Sequence, residues 1–595
     1  MVCAIRQLLQ SPLLTAAIFI TGIGGTFQYG FHIAVLNSPS TFIKELVNVT
    51  CTERYGLNLP PWQLSIIWSF VVSIFFIGAL MGALMGGRLA DKYGRKRCLL
   101  WNNLLGMAGA VLMVLSKTAV SFEMIMAARF IYGVNSGIGL TVHCMYLPEC
   151  SPKKLRSMMG FFVITFSALG KFISQLLGLS EVLGTEDRWP WLLGFSAVLA
   201  LLQMVTLPLL PESPRYLLIM KGDPEACERA MMRLWGPKVD HSEDLADMRA
   251  EVAVSSGLQR KGVLQLFRQR SLRWQLATII CCMTTLQLSG INAVYLYSFD
   301  VFRKANIPPH QLRYAALGTG LCELSTNVIS AMVIERTGKK VLLLWGYFGM
   351  ATTLTILTVT LYLQTILWWM PYCSLILVFI FIMFFSTGPA GITAPLAGEL
   401  FNQSFKAAAF TINTTINWTG LFLLGMVFPL IVEHLDYLCF IIFLTLCFST
   451  GLFVHFNVPE TRNRTVLEIA AEYDRMHSRR RQEAAASEEQ KHTPSPAPMD
   501  YPENNAQYQP TLSNDRRTRM DEREMAGPED AGVTVPMAGE LFNQSFKAAA
   551  FTINTTINWT GLFLLGMLFP LIVRLSDVAI IDVENLQQNH GDKVS

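Results

Sequence analysis

The sequence is poor in charge. Only 15% of its 595 residues are Asp, Glu, Lys or Arg, where soluble domains carry about 25%. The deficit falls on apolar runs of roughly 20 residues that recur between Leu13 and Val458, each long enough to cross a bilayer as a helix. Buried soluble helices are seldom so long, so numerous and so free of charge, so an ordinary soluble domain is excluded. A formal net charge of +4 is small for this length and offers no footing for nucleic acid. The twelve cysteines have no metal-ligand spacing. Most, like Cys281 and Cys282, fall inside apolar runs, where cysteine packs as a small hydrophobe. There is no glycine-rich phosphate loop ending in Lys-Ser/Thr, no metal-spaced histidine cluster and no nucleophile elbow. Nothing therefore supports an enzyme, and no cofactor is called for. Nor does an obvious small-residue cleavage site interrupt "SPLLTAAIFITGIGG" near the N-terminus. That run is read as a retained first span and not as a signal peptide.

What the sequence does hold is a mean hydropathy of +0.38 and a count of twelve spans. Six lie at about 13–35, 64–86, 98–116, 121–144, 157–179 and 190–210, and six more at about 273–300, 312–334, 341–364, 370–397, 407–431 and 436–457. The expected organisation is a first six-helix bundle over 1–210, a polar linker with short helices over 211–272 and a second six-helix bundle over 273–457. Lys and Arg gather in "GRLADKYGRKR", "SPKKLR", the linker, "ERTGKK" and "RMHSRRR". All of these fall on one side of a twelve-span chain, which makes that side and the N-terminus cytoplasmic. The loop after the first span is then outside, and its "NVT" at Asn48 is a glycosylation acceptor. Residues 458–533 are read as a cytoplasmic, largely disordered tail, which turns polar and proline-rich after Glu472.

Two short motifs sit at matched places. "GRLADKYGRK" at Gly87–Lys96 joins the second and third spans, with its glycines allowing a tight turn, and "ERTGKK" at Glu335–Lys340 echoes it six spans later. The first resembles the signature of the major facilitator superfamily. "PESPRYL" at Pro211–Leu217 and "VPETRNRTVLEI" at Val458–Ile469 resemble sugar porter signatures, and "QLSGINAVYLYS" at Gln287–Ser298 resembles the seventh span of the facilitative hexose transporters of solute carrier family 2. "FQYGF", "NSP" and Ala394 are similar to the class II, fructose-transporting branch.

The resemblance implies an all-α polytopic membrane protein of the major facilitator fold, its two bundles rocking about a sugar site near the midplane. It implies a uniporter of fructose, glucose or both in the plasma membrane, with a small sugar and the lipid bilayer as partners. By that resemblance, gating ion pairs fall on Asp91, Arg95, Arg129, Glu149, Arg156, Glu212 and Arg215 in the first half, and on Glu335, Arg336, Glu399 and Glu460 in the second. The sugar site falls on Tyr29, Gln175, Gln287, Asn292, Asn417 and Trp418, with Glu323 and Ala394 replacing an asparagine and a tryptophan of the glucose-preferring pattern. The chemistry suits a hexose. Amides both donate and accept without the desolvation cost of a charge, and an aromatic face covers the C–H side of the ring. Departures at Leu286, Leu296, Glu323 and Ala394 argue against a standard high-affinity glucose carrier. They keep open a non-transporting sugar sensor or scaffold, or a carrier of another solute such as urate. His32 and Glu323 are read as ionisable groups within the membrane, which are functional candidates by default. His32 in particular raises the possibility of pH-modulated transport, against the alternative of a neutral histidine and a protonated glutamic acid acting as asparagines would.

One stretch, "AGELFNQSFKAAAFTINTTINWTGLFLLGM", occurs twice, from Ala397 and from Ala538. The first copy holds Asn417 and Trp418. The second, within 534–573, cannot fill a slot already occupied, and is read as a recent duplication or a misassembled gene model that carries no site, followed by a short tail at 574–595.

Overall fold

The computed structural model describes residues 11–477, apart from 153–154, 237–243, 247, 250–260, 335–336, 365, 436–437, 463, 465 and 467. Expectations for Glu335, Arg336, the tail beyond 477, the duplicate at 534–573 and residues 574–595 lie outside the described residues.

Among the described residues there are helices and no strands. In a bilayer the helix is the simplest way for an apolar run to satisfy its backbone polar groups. The first half comprises α1 (Pro12–Ala34), α2 (Ser40–Tyr55), α3 (Pro61–Tyr93), α4 (Arg95–Thr118), α5 (Phe122–Cys150), α6 (Arg156–Leu177) and α7 (Trp189–Leu209). Three short helices follow, α8 (Pro214–Ile219), α9 (Pro224–Trp235) and α10 (Val263–Arg268). The second half comprises α11 (Arg273–Leu288), α12 (Ile291–Leu296), α13 (Ser298–Lys304), α14 (Leu312–Ile334), α15 (Lys339–Leu363), α16 (Met370–Thr387), α17 (Pro389–Leu400), α18 (Gln403–Leu435) and α19 (Cys439–Asn457). Starts are set by local chemistry. Ser213 and Asp223 accept from the N–H groups of Tyr216 and Ala226 at 3.2 and 2.9 Å, each followed by a proline that fits the first turn.

Among the described residues, eleven segments are long and apolar enough to cross a membrane. The eighth expected span, α14, is equally helical but carries the buried polar residues Thr319, Glu323, Thr326 and Asn327. Its place completes the twelve. The joint between the second and third spans differs from expectation. α3 continues through "GRLADKY", and the turn is the single residue Gly94, at φ +94°. Glycine alone adopts that angle without strain, and a Cβ there would come within 2.5 Å of Glu212 Oε2. The seventh span is not one helix either. It breaks at Ser289-Gly290, with Gly290 at φ +95°.

Small residues set the closest packing. Gly78 and Gly82 of α3 face Gly133 and Gly137 of α5, and a Cβ on any of the four would stand 2.0–2.3 Å from a backbone oxygen of the other helix. This reciprocal small-xxx-small contact is how membrane helices approach without a solvent-driven force. Between the halves, α3 packs on α18, α6 on α14, and the end of α1 on α12.

The segment after α19 is docked as far as it is described. Residues 468–477 are helical, and Ile469 and Tyr473 are buried against Leu276, Ile279 and Phe405. Four apart on a helix, they share a face. Trp274 stacks on His477 with ring centroids 3.8 Å apart. The beginning of the segment expected to be a loose tail is thus part of the packed unit.

Candidate functional site

The break in the seventh span builds the first part of the site. Leaving the helix at Gly290 frees the Gln287 carbonyl, which accepts from Asn292 Nδ2 at 3.2 Å. The same Asn292 nitrogen donates to Gln287 Oε1 at 2.9 Å, and Gln287 Nε2 donates to Asn417 Oδ1 on α18 at 2.8 Å. Three amides predicted from sequence therefore form one chain, Asn292–Gln287–Asn417. Next to Asn417, Trp418 is buried and meets Tyr29 of α1 edge-on, with centroids 5.4 Å apart and planes at 85°. Tyr29 lies just after a π-helical turn, Ile23–Phe27, within α1, a feature that often marks functional positions. Ala394 is on the exposed side of α17. An open cleft of about 250 Å³ between α11 and α18 is lined by Thr284, Leu288, Thr415, Ile416, Thr419, Gly420 and Leu423. None of the sequence-predicted site residues lines it.

The second part joins α6 to α14. Gln175 Nε2 donates to Thr319 Oγ1 at 3.2 Å. One turn deeper, Lys171 Nζ pairs with both oxygens of Glu323, at 2.8 and 3.0 Å. Both side chains are under 10% exposed. The ammonium also lies 3.9 Å from the centroid of the Tyr295 ring, a cation–π placement. Glu323 is thus the carboxylate of an ion pair and does not stand in alone for an asparagine. Lys171 was missed, although a lysine in the middle of "SALGKFISQ" is a visible signal.

Two further titratable residues are buried within the membrane, and the first departs from expectation. Arg129, assigned to the gating pairs, is buried in α5, roughly 30 Å along the helix from Glu149. Its guanidinium donates to the carbonyls of His32 and Val72 at 2.9 and 3.2 Å and covers the Phe75 ring at 4.5 Å. It serves as internal glue for α1, α3 and α5. His32 stacks on Tyr132 at 4.1 Å, and its Nε2 is buried with no hydrogen-bond partner.

Of the remaining predicted gating residues, Asp91, Arg95, Glu149, Glu212, Glu399 and Glu460 build two matched latches on the face that carries Arg95. In the first half, Arg95 pairs with Glu149 at 2.9 Å and Asp91 at 3.5 Å, while Ser213 Oγ donates to Glu149 at 2.6 Å. Glu212 accepts from the backbone N–H of Arg95, Lys96 and Ser213 at 3.0–3.1 Å, capping the start of α4. Burial pushes the Glu212 carboxyl above its ordinary range, and those three N–H groups pull it back. In the second half, Lys339 pairs with Glu399, and Thr461 Oγ1 donates to Glu399 at 3.3 Å. Glu460 accepts from the N–H of Lys339, Lys340, Thr461 and Arg462 at 2.9–3.1 Å, capping α15. Lys339 therefore takes the part of Arg95, each directly after the joint glycine, Gly338 or Gly94. These pairs close within each half. Arg156 and Arg215 are half-buried on the same face.

On the opposite face, where Asn48 is exposed on α2, the two halves touch each other. Asn37 donates to the Tyr295 carbonyl at 2.6 Å and accepts from the Ser298 N–H at 3.0 Å. Tyr314 donates to Glu181 at 3.2 Å, and Lys44 approaches Asp300 at 3.9 Å.

Comparison with known proteins agrees with this architecture. Residues 17–473 match the family model described as "Sugar (and other) transporter". Solute carrier family 2, facilitated glucose transporter member 11, of Homo sapiens is 41% identical over 478 residues, covering 80% of this chain and 96% of that protein. Member 9 of Mus musculus is 42% identical over 457 residues, with coverage of 77% and 85%. Member 5 of Mus musculus is 39% identical over 457 residues, with coverage of 77% and 91%. Among solved structures, the inward-open xylose transporter XylE from E. coli superposes with a TM-score of 0.63 at 19% identity, covering 77% of this chain and 99% of that one. The last likeness speaks for the fold and the others for descent: the chain belongs to the sugar transporter family of the major facilitator superfamily, with the class II members of solute carrier family 2.

Proposed function

We propose that this chain is a facilitative hexose carrier, moving fructose, glucose or both by alternating access. The observation that carries this reading is the amide chain Asn292–Gln287–Asn417 beside the Tyr29–Trp418 aromatic pair, where the two halves meet. A hexose hydroxyl can replace each amide–amide bond with one of equal polarity, so binding and release can proceed without stranding a buried polar group. Tyr29, Gln175, Gln287, Asn292, Glu323, Ala394, Asn417 and Trp418 form the proposed site, and the two latches carry each half as a rigid body. The relatives named as facilitated glucose transporters support the substrate class. The concentration of basic residues on the latch face supports its assignment to the cytoplasm, with Asn48 outside, and the plasma-membrane location rests on the family resemblance. Lys171 does not turn the site toward an anion such as urate, because Glu323 already neutralises it.

The test is uptake into vesicles of purified protein, with labelled fructose, glucose and urate. Saturable hexose uptake that urate does not compete for is expected. Sugar binding without flux would replace the carrier with a sensor, and preferential uptake of urate would replace the substrate class.

A further inference from the structure

Three polar rungs run down the seam that α6 of the first half and the turn following it make with α14 of the second. From the Asn48 face inward they are Glu181–Tyr314 at 3.2 Å, Gln175–Thr319 at 3.2 Å and Lys171–Glu323 at 2.8 Å. The spacing follows an antiparallel helix pair, about one to two turns per rung. The deepest rung alone is charged on both sides. It is buried, and Tyr295, whose carbonyl holds Asn37 of the first half, lies beneath the ammonium. All three rungs cross from one half to the other, whereas the latches on the Arg95 face stay within their own halves. Opening the Asn48 face by rocking the halves must part these rungs. Parting the last one separates a cation from a carboxylate in a medium where an unpaired charge is costly.

We propose that Lys171 and Glu323 form an interbundle charge lock that holds the Asn48 face closed, with Lys171 as a positioning residue of the transport cycle. The inference rests on the carrier reading and adds a bias to it: at rest, the protein favours the state closed on the Asn48 side. Glu323 also belongs to the proposed sugar site, and loss of that contact would shift affinity alike from both sides; the lock acts on the balance between states. Its signature is therefore asymmetric, because a ligand's apparent affinity scales with the fraction of protein open to its side.

The experiment uses the full chain in vesicles of known orientation. Lys171→Met combined with Glu323→Gln removes both charges together and leaves neither stranded. Hexose KM is then expected to fall about threefold from the Asn48 side and to rise from the Arg95 side. Equal change on both sides, or none on either, would overturn the lock and leave the pair as a sugar contact or a structural bond. A second readout does not need transport. Ser298 is buried at the seam with its hydroxyl unpartnered. A Ser298→Cys probe should react faster with a membrane-impermeant maleimide in the neutral-pair background than in the wild-type background, each measured above the same chain without the probe. An unchanged rate counts against the lock. Lys171→Glu combined with Glu323→Lys rebuilds the pair in reverse and is expected to restore both readouts; failure to do so removes charge pairing as the cause. If the wild type moves no sugar, the carrier reading fails, and the labelling rates alone decide the lock.

Discussion

Gln287 is the hub of the candidate site, donating to one amide and accepting from another. Gln287→Ala strands both neighbours, and hexose KM is expected to rise about tenfold, which corresponds to about 1.4 kcal/mol, the size of one lost hydrogen bond. An unchanged KM in the vesicle assay would take Gln287 out of the site. His32 is expected to contribute no pH dependence. A second cation there would sit beside Arg129, which already donates to the His32 carbonyl. Uptake by wild type and His32→Asn, compared between about pH 5.5 and 8, should give superimposable profiles; diverging profiles would make His32 a titrating group of the cycle. At this scale the sequence was uneven as a guide. Amides stand out in apolar runs, so Gln287, Asn292 and Asn417 were legible. Lys171 was visible too, but its meaning depends on a partner 152 positions away, and only helix register brings the two together. Arg129 was misplaced for a related reason: the sequence does not say how deep a charged residue sits or that two carbonyls are aimed at it.

The elements obey hydropathy at their edges and escape it inside. Apolar runs located the membrane-length helices among the described residues, with ends that differ by up to seven residues, as where α3 runs on to Tyr93 from an expected end near 86, because the length of a span is dictated by the bilayer. They gave no sign of the break at Gly290 or the π turn before Tyr29, since both are backbone events within runs that stay apolar. The α3–α5 contact was equally silent, although Gly78, Gly82, Gly133 and Gly137 are all in plain view. Gly133→Ala places a methyl 2.0 Å from the Phe75 carbonyl oxygen, and backbone cannot step aside as a side chain can. The expected cost is about 1–3 kcal/mol, the range for an overpacked interface, seen as a lower unfolding midpoint in detergent. Gly87→Ala is the control. It lies in the same helix system with nothing within 4 Å of the new methyl, and should be neutral or slightly stabilising.

For the whole molecule, the twofold plan was legible because the latch motifs recur six spans apart, and the packed end of the chain was not. Ile469 and Tyr473 fall in the stretch read from sequence as a largely disordered tail, and only the structure shows Trp274 and Phe405 packed beneath that segment. Truncation after Arg480 keeps every docked residue among those described and is expected to leave hexose uptake intact. Truncation before Ile469 uncovers the apolar surface around Leu276 and should reduce both thermal stability and uptake. Loss of uptake in the chain ending at Arg480 would give the remainder, including its copy of the α18 segment, a role in transport. The paired caps carry a consequence of another kind. Glu212 and Glu460 grip main chain, and they do so in near-identical fashion within a single polypeptide. Each molecule therefore contains its own reference experiment. Glu212→Gln and Glu460→Gln make one chemical change in two copies of one setting, so any inequality between their effects on turnover measures how unevenly the two halves share the labour of each passage.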